Sequence, residues 1–291
     1  MNAFSRSWSL TKASWGVLRE DKELIALPAI SAVSSFVLIA PFLGIVALTF
    51  RTTGTGADRS YQLGLGGWIA LFVAYLISAY VTIFFQSALV LAANERMTGG
   101  SPTLGSALRG ARANAGRILP WAIITATVSI VLQLIQERAG VVGRLVAGLA
   151  GVAWALVTLL VLPILVIEQV GVKEAFTRSA SAFKRTWGEN VIGNGGIGLV
   201  SFLALLVGVV LTGPVIYLGM SSDSLVLTAA GVVALVLWVV VVSVFSAALS
   251  GVFRTALYRY ATKGEDSPGF THDQIANAFR PKRRARGAAS A

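Results

Sequence analysis

Residues 224–253 read SLVLTAAGVVALVLWVVVVSVFSAALSGVF, thirty positions without a charged side chain, bounded by Asp223 and Arg254. A helix rising ~1.5 Å per residue crosses ~30 Å of hydrocarbon in about 20 residues, so this stretch can span a bilayer. Working outward, five further uncharged runs appear at 24–50, 60–94, 118–136, 145–167 and 190–222, and the six together make up 57% of the chain. Each is long enough for one crossing, and none holds two crossings and a turn. The composition agrees: of 291 residues 55% are hydrophobic and 13% charged, with a mean hydropathy of +0.75, whereas soluble domains carry about 25% charged residues. The fold expected is all-α, a polytopic membrane protein with six transmembrane helices.

The chain has 24 Lys and Arg against 13 Asp and Glu, a net charge of +11. That excess alone would suit a nucleic-acid binder, but its distribution argues for a membrane. Alternate segments between the runs hold 20 basic residues on one side and 4 on the other. This positive-inside bias places both termini in the cytoplasm, with a cytoplasmic (inner) membrane as the location and an anionic inner leaflet as the contacting surface. No nucleic acid is expected as a partner. Residues 1–263 form the membrane domain and 264–291 a basic cytoplasmic tail, whose run Pro281-Lys282-Arg283-Arg284-Ala285-Arg286 suits lipid headgroups or topological retention. Residues 1–23 are too polar for a cleavable signal peptide, so the first span is expected to direct insertion. The absence of cysteine excludes disulfides, thiolate metal sites and cysteine nucleophiles.

Residues 4–16, FSRSWSLTKASWG, and 176–188, FTRSASAFKRTWG, are identical at seven of thirteen positions. Phe4, Trp8, Thr11 and Trp15 in one copy, and Phe176, Ala180, Phe183 and Trp187 in the other, are spaced to share one helical face. A degenerate third copy has Leu104, Leu108, Ala111 and Ala115. Three amphipathic helices, at about 4–19, 102–117 and 171–188, are therefore expected to lie along the inner headgroup layer, each leading into a membrane hairpin. Trp15 and Trp187 are expected at headgroup depth, where an indole ring meets both apolar and polar surroundings.

The opening FSRSWSLTKASWGVLREDKELIALP resembles the start of a family of prokaryotic integral membrane proteins of unknown function. The stretch from Pro163 to Glu168, with Glu174-Ala175 and Arg178-Ser179, is similar to the membrane region fused to some bacterial glycerophosphodiester phosphodiesterases. The first resemblance covers the whole chain and implies a six-helix membrane domain without an assigned activity. The second is a short pattern around the fourth span. Phosphodiesterase chemistry belongs to a separate soluble domain, for which this chain has no room, so no catalytic residue carries over.

The only histidine, His272, lies in the polar tail, and no Gly-x-Ser-x-Gly elbow, phosphate loop or metal-ligand spacing occurs. No catalytic residue, metal or cofactor is expected. Gly193-Asn194-Gly195-Gly196-Ile197-Gly198 lacks the preceding strand of a nucleotide fingerprint and reads as flexible backbone or close helix packing.

Four residues are candidates for binding: Glu168, Arg178, Gln86 and Asn194. Glu168 is the acidic residue most closely joined to apolar sequence and needs a partner there, with Lys173, Arg178 and Arg6 as choices and Arg178 preferred. Gln86, Gln133 and Asn194 are the strongest polar groups inside the runs, expected to tie helices together by hydrogen bonds. Pro28, Pro41, Pro163 and Pro214 mark places where spans can break. Gly143, Ala147, Gly151 and Ala155 form a small-residue stripe for close packing within or between chains. The function expected is that of a non-enzymatic module binding lipid or a partner membrane protein. A carrier for a small or lipid-like molecule is the first alternative, signalled by a polar cavity lined by Gln86, Asn194 and Glu168, and a lipid-modifying membrane enzyme the second.

Overall fold

The computed structural model describes residues 14–16, 18–19, 23–53, 60–187 and 196–263. In chain order these form α1 (Glu23–Thr49), β1 (Phe50–Thr53), β2 (Ser60–Leu63), α2 (Leu65–Met97), α3 (Leu104–Ala113) and α4 (Ala115–Arg138). They are followed by α5 (Val141–Val157), α6 (Val161–Ile167), α7 (Val172–Trp187), α8 (Gly196–Ser221) and α9 (Leu225–Lys263). Among the described residues, six helical stretches are long and apolar enough to cross a membrane: α1, α2, α4, α5 with α6, α8 and α9. Their outer faces carry bare apolar side chains, with Phe36 70% and Leu48 87% exposed, as lipid-facing surfaces require.

Three features of the spans and their ends have local causes. Between the first two spans, β1 and β2 pair as antiparallel strands, Phe50 with Leu63 and Thr53 with Ser60. Backbone groups leaving a spanning helix need partners, and the β-branched Thr52 and Thr53 favour finding them in a strand. The fourth span is interrupted between Val157 and Val161. Pro163 supplies the reason, because it has no N–H to offer the carbonyl four residues back and its ring crowds that turn. The last helix continues past the end of its charge-free run at Phe253 to Lys263. Its 39 residues measure roughly 58 Å, more than the ~45 Å of a whole bilayer, so its end projects beyond the hydrocarbon.

The buried core lies toward the end of the bundle that carries α3 and α7, called here the basic end. Leu89, Val90 and Ala93 of α2, Ile118 of α4, Ile164 and Leu165 of α6, and Val252, Leu257 and Tyr258 of α9 meet there with Ala107, Ala111, Ala175 and Ala182 of the two short helices. The short helices are thus packed against the bundle. On α7 the buried face runs through Ala175, Ser179 and Ala182, one position before the Phe176, Ala180, Phe183 stripe read from the sequence. Phe176 and Phe183 flank that face and are half-buried. The ring of Phe176 lies 6.0 Å from Trp154, which stacks on Trp121 at 6.2 Å.

Thr103 and Ser106 close a reciprocal capping box at the start of α3, where the Leu104 N–H also donates to the Glu23 carboxylate of α1. Of the first repeat copy, residues 4–13 lie outside the described residues. Trp15 is 43% exposed, with its ring 5.7 Å from Phe245. Ala147 of the small-residue stripe is buried, and a side chain at Gly151 would touch Leu132 of α4, so part of that stripe is used within the chain.

Candidate ligand-binding site

Glu168 ends α6 and Arg178 lies two turns into α7, and the two meet. Arg178 donates from Nη1 to Glu168 and from Nη2 to Glu174, so one guanidinium joins the corner between the two helices. The hydrogen bond to Glu168 is the main influence raising the Arg178 pKa above its ordinary value, so Arg178 stays charged. The second Glu168 oxygen accepts a 3.0 Å hydrogen bond from the Tyr258 hydroxyl of α9. Lys173 is exposed, and Arg6 lies outside the described residues. An open groove of about 300 Å³, lined by Glu168, Thr177, Arg178, Ser181 and Thr262, borders the pair at the basic end.

A second contact fixes the same corner. Ser179 is fully buried and donates at 2.6 Å to the carbonyl of Val157, the last residue of α5. That carbonyl would otherwise lack an intrahelical partner at the break. No local pattern marks either Ser179 or Tyr258 as a partner. The i,i+4 spacing of Glu174 and Arg178 was a visible signal for the third.

Gln86 of α2 is not hydrogen-bonded to any of the described residues, contrary to the expectation that it would tie helices together. It faces two cavities. The larger, a half-open space of about 260 Å³ between α1, α2 and α9, is mostly apolar, with Phe85, Leu89, Val240 and Val244 in its lining beside Ser31, Ser35, Thr82 and Ser243. The smaller, of about 190 Å³, lies between α2, α6 and α9 and is lined by Gln86, Val90, Leu162, Ser246, Ser250 and Arg254. Gln133 donates at 3.0 Å to Glu137 within its own helix and so links no helices either. Asn194 and the tail with His272 lie outside the described residues. Glu168 lines neither of these cavities, so among the described residues the cavity lining that would signal a carrier includes Gln86 without Glu168. Arg254 was the missed one, having been counted only as a charge ending a run.

Six apolar helices, long enough to cross a membrane and joined in part by short amphipathic ones, define a multi-pass membrane protein. The chain belongs to a family of unknown function, DUF6159, whose model matches residues 65–269. No curated protein and no solved structure matches it, so the likeness to phosphodiesterase membrane regions rests on the motif residues alone.

Proposed function

We propose that this chain is a non-enzymatic integral membrane protein that holds a lipid-like ligand inside its bundle. The carrying observation is the cavity between α1, α2 and α9, which combines Ser31, Ser35, Thr82, Gln86 and Ser243 with an apolar wall. Closely packed spans gain from filling such a space, whereas a pocket with a few convergent polar groups in an apolar lining is how ligand sites are built. The charge asymmetry supports a basic end facing the cytoplasm, in contact with an anionic leaflet of the cytoplasmic membrane. The reading invokes no catalytic residue, metal or cofactor.

A carrier for a lipid-like molecule is the second reading. It is favoured by Gln86 lining both cavities, which makes them neighbours. Ser243→Phe fills the larger cavity and tests both readings. Native mass spectrometry of the wild-type protein should show retained lipid, and the variant should lose it while keeping its thermal midpoint. Equal lipid content in the two proteins would overturn the reading.

A further inference from the structure

Arg254 is the one cation lining the two cavities around Gln86. Among the described residues it has neither a carboxylate partner nor a hydrogen-bond acceptor. Nearby cations at the same end are engaged, Arg178 by Glu168 and Glu174 and Arg259 by Asn94 at 3.5 Å. Arg254 is mostly covered, and a guanidinium that loses part of its water without gaining a partner is left under-satisfied. Lying along the outer surface toward the headgroups would be the usual escape. Arg254 instead lines a cavity walled by α2, α6 and α9.

Its depth narrows the chemistry. From Leu225, beside the turn at the opposite end of α9, Arg254 is roughly 44 Å along the helix axis, about one whole bilayer away and so at headgroup level. Val239, Val240, Ser243, Val244 and Ala247 of α9 line the larger cavity, roughly 10–22 Å from Arg254 toward the hydrocarbon centre. The cation thus stands at headgroup height, and the more apolar cavity extends from it to acyl-chain height.

We infer that Arg254 anchors the phosphate of an anionic lipid, with an acyl chain reaching past Gln86 into the cavity between α1, α2 and α9. The inference rests on the lipid-binding reading and names the ligand's charge and orientation. A guanidinium offers a planar fork of donors to two phosphate oxygens, and the Ser250 hydroxyl and the Gln86 amide add neutral donors. Inorganic phosphate shares this headgroup chemistry but has no tail for the larger cavity.

The test uses the full-length delipidated protein in mild detergent. Phosphatidylglycerol and phosphatidylcholine of identical acyl chains compete for it, with bound lipid read by native mass spectrometry. Wild type should prefer phosphatidylglycerol by about tenfold, and Arg254→Gln should reduce the preference to about twofold or less while still taking up phosphatidylcholine. Arg254→Lys keeps the charge without the fork and should retain part of the preference. Ser250→Ala should also weaken it, and would serve if Arg254→Gln failed to fold. Inorganic phosphate should not displace the lipid. An absent wild-type preference, or one that survives both Arg254→Gln and Ser250→Ala, overturns the assignment. Displacement by inorganic phosphate overturns the lipid as its source. Wild type retaining neither lipid would instead sink the underlying lipid-binding reading.

Discussion

The Tyr258 hydroxyl donates to Glu168 Oε1 at 3.0 Å, tying the end of α9 to the end of α6 across ninety positions of sequence. Tyr258 is 1% exposed, whereas the Arg178 side chain on the other Glu168 oxygen is 49% exposed. Water and salt screen the outer bond far more than the inner one. Tyr258→Phe should therefore cost about 1.5–3 kcal/mol, and Arg178→Gln less. Exchanging Glu168 and Arg178 should recover part of what either single substitution loses. Thermal unfolding in detergent checks the order, and a larger loss for Arg178→Gln would reverse the assignment of Tyr258 as the main tie.

The Ser179 bond to the Val157 carbonyl should be needed by the broken span. Ser179→Ala leaves a buried acceptor unsatisfied, which costs about 1–3 kcal/mol. Ser181 is exposed on the same helix, so Ser181→Ala should stay within about 0.5 kcal/mol of wild type. Comparable losses for both would mean that Ser179 matters only as part of α7.

Much of this architecture was legible because charge-free length is a one-dimensional property, and six such runs mark six spans. Pairing Glu168 with Arg178 was legible for a related reason, since a carboxylate beside apolar sequence demands a cation and the next helix offers one. The buried face of α7 was misread by one position because Phe and Trp dominate a hydrophobic stripe. Close packing instead selected the small residues Ala175, Ser179 and Ala182, which let the helix approach the bundle. The Gln86 cavity with Arg254 could not be read in advance, since its lining comes from α1, α2, α6 and α9, and no local pattern records which faces converge.

Gly251 and Leu89 offer a way to change the cavity from behind. A Cβ at Gly251 would fall 2.3 Å from Leu89 Cδ2, and Leu89 lines the larger cavity. Gly251→Ala should push Leu89 into that space, costing about 1–3 kcal/mol and reducing retained lipid. Adding Leu89→Ala should restore lipid retention, although its own truncation lowers stability. The readouts are thermal midpoint and lipid content by mass spectrometry. Undiminished lipid in Gly251→Ala would show that the cavity tolerates the displaced side chain.

The proposed sidedness rests on charge alone and is open to a direct check. The chain has no cysteine, so single cysteines report cleanly. Positions Ala139 and Ser222 should react with an impermeant maleimide added to intact cells, and positions Gly100 and Val172 only after the membrane is opened. Reactivity of Gly100→Cys or Val172→Cys in intact cells would contradict the orientation.

The most direct measurement of a lipid inside the bundle is photocrosslinking with a phosphatidylglycerol that carries a diazirine on its acyl chain, followed by peptide mapping. The account predicts adducts concentrated on the cavity lining of α1, α2 and α9, at Ser35, Thr82, Phe85 and Val244. These adducts should disappear in Ser243→Phe. Adducts confined to outward-facing residues such as Phe36, Leu48 and Phe72, and unchanged in that variant, would mean that lipid only surrounds this protein and does not enter it.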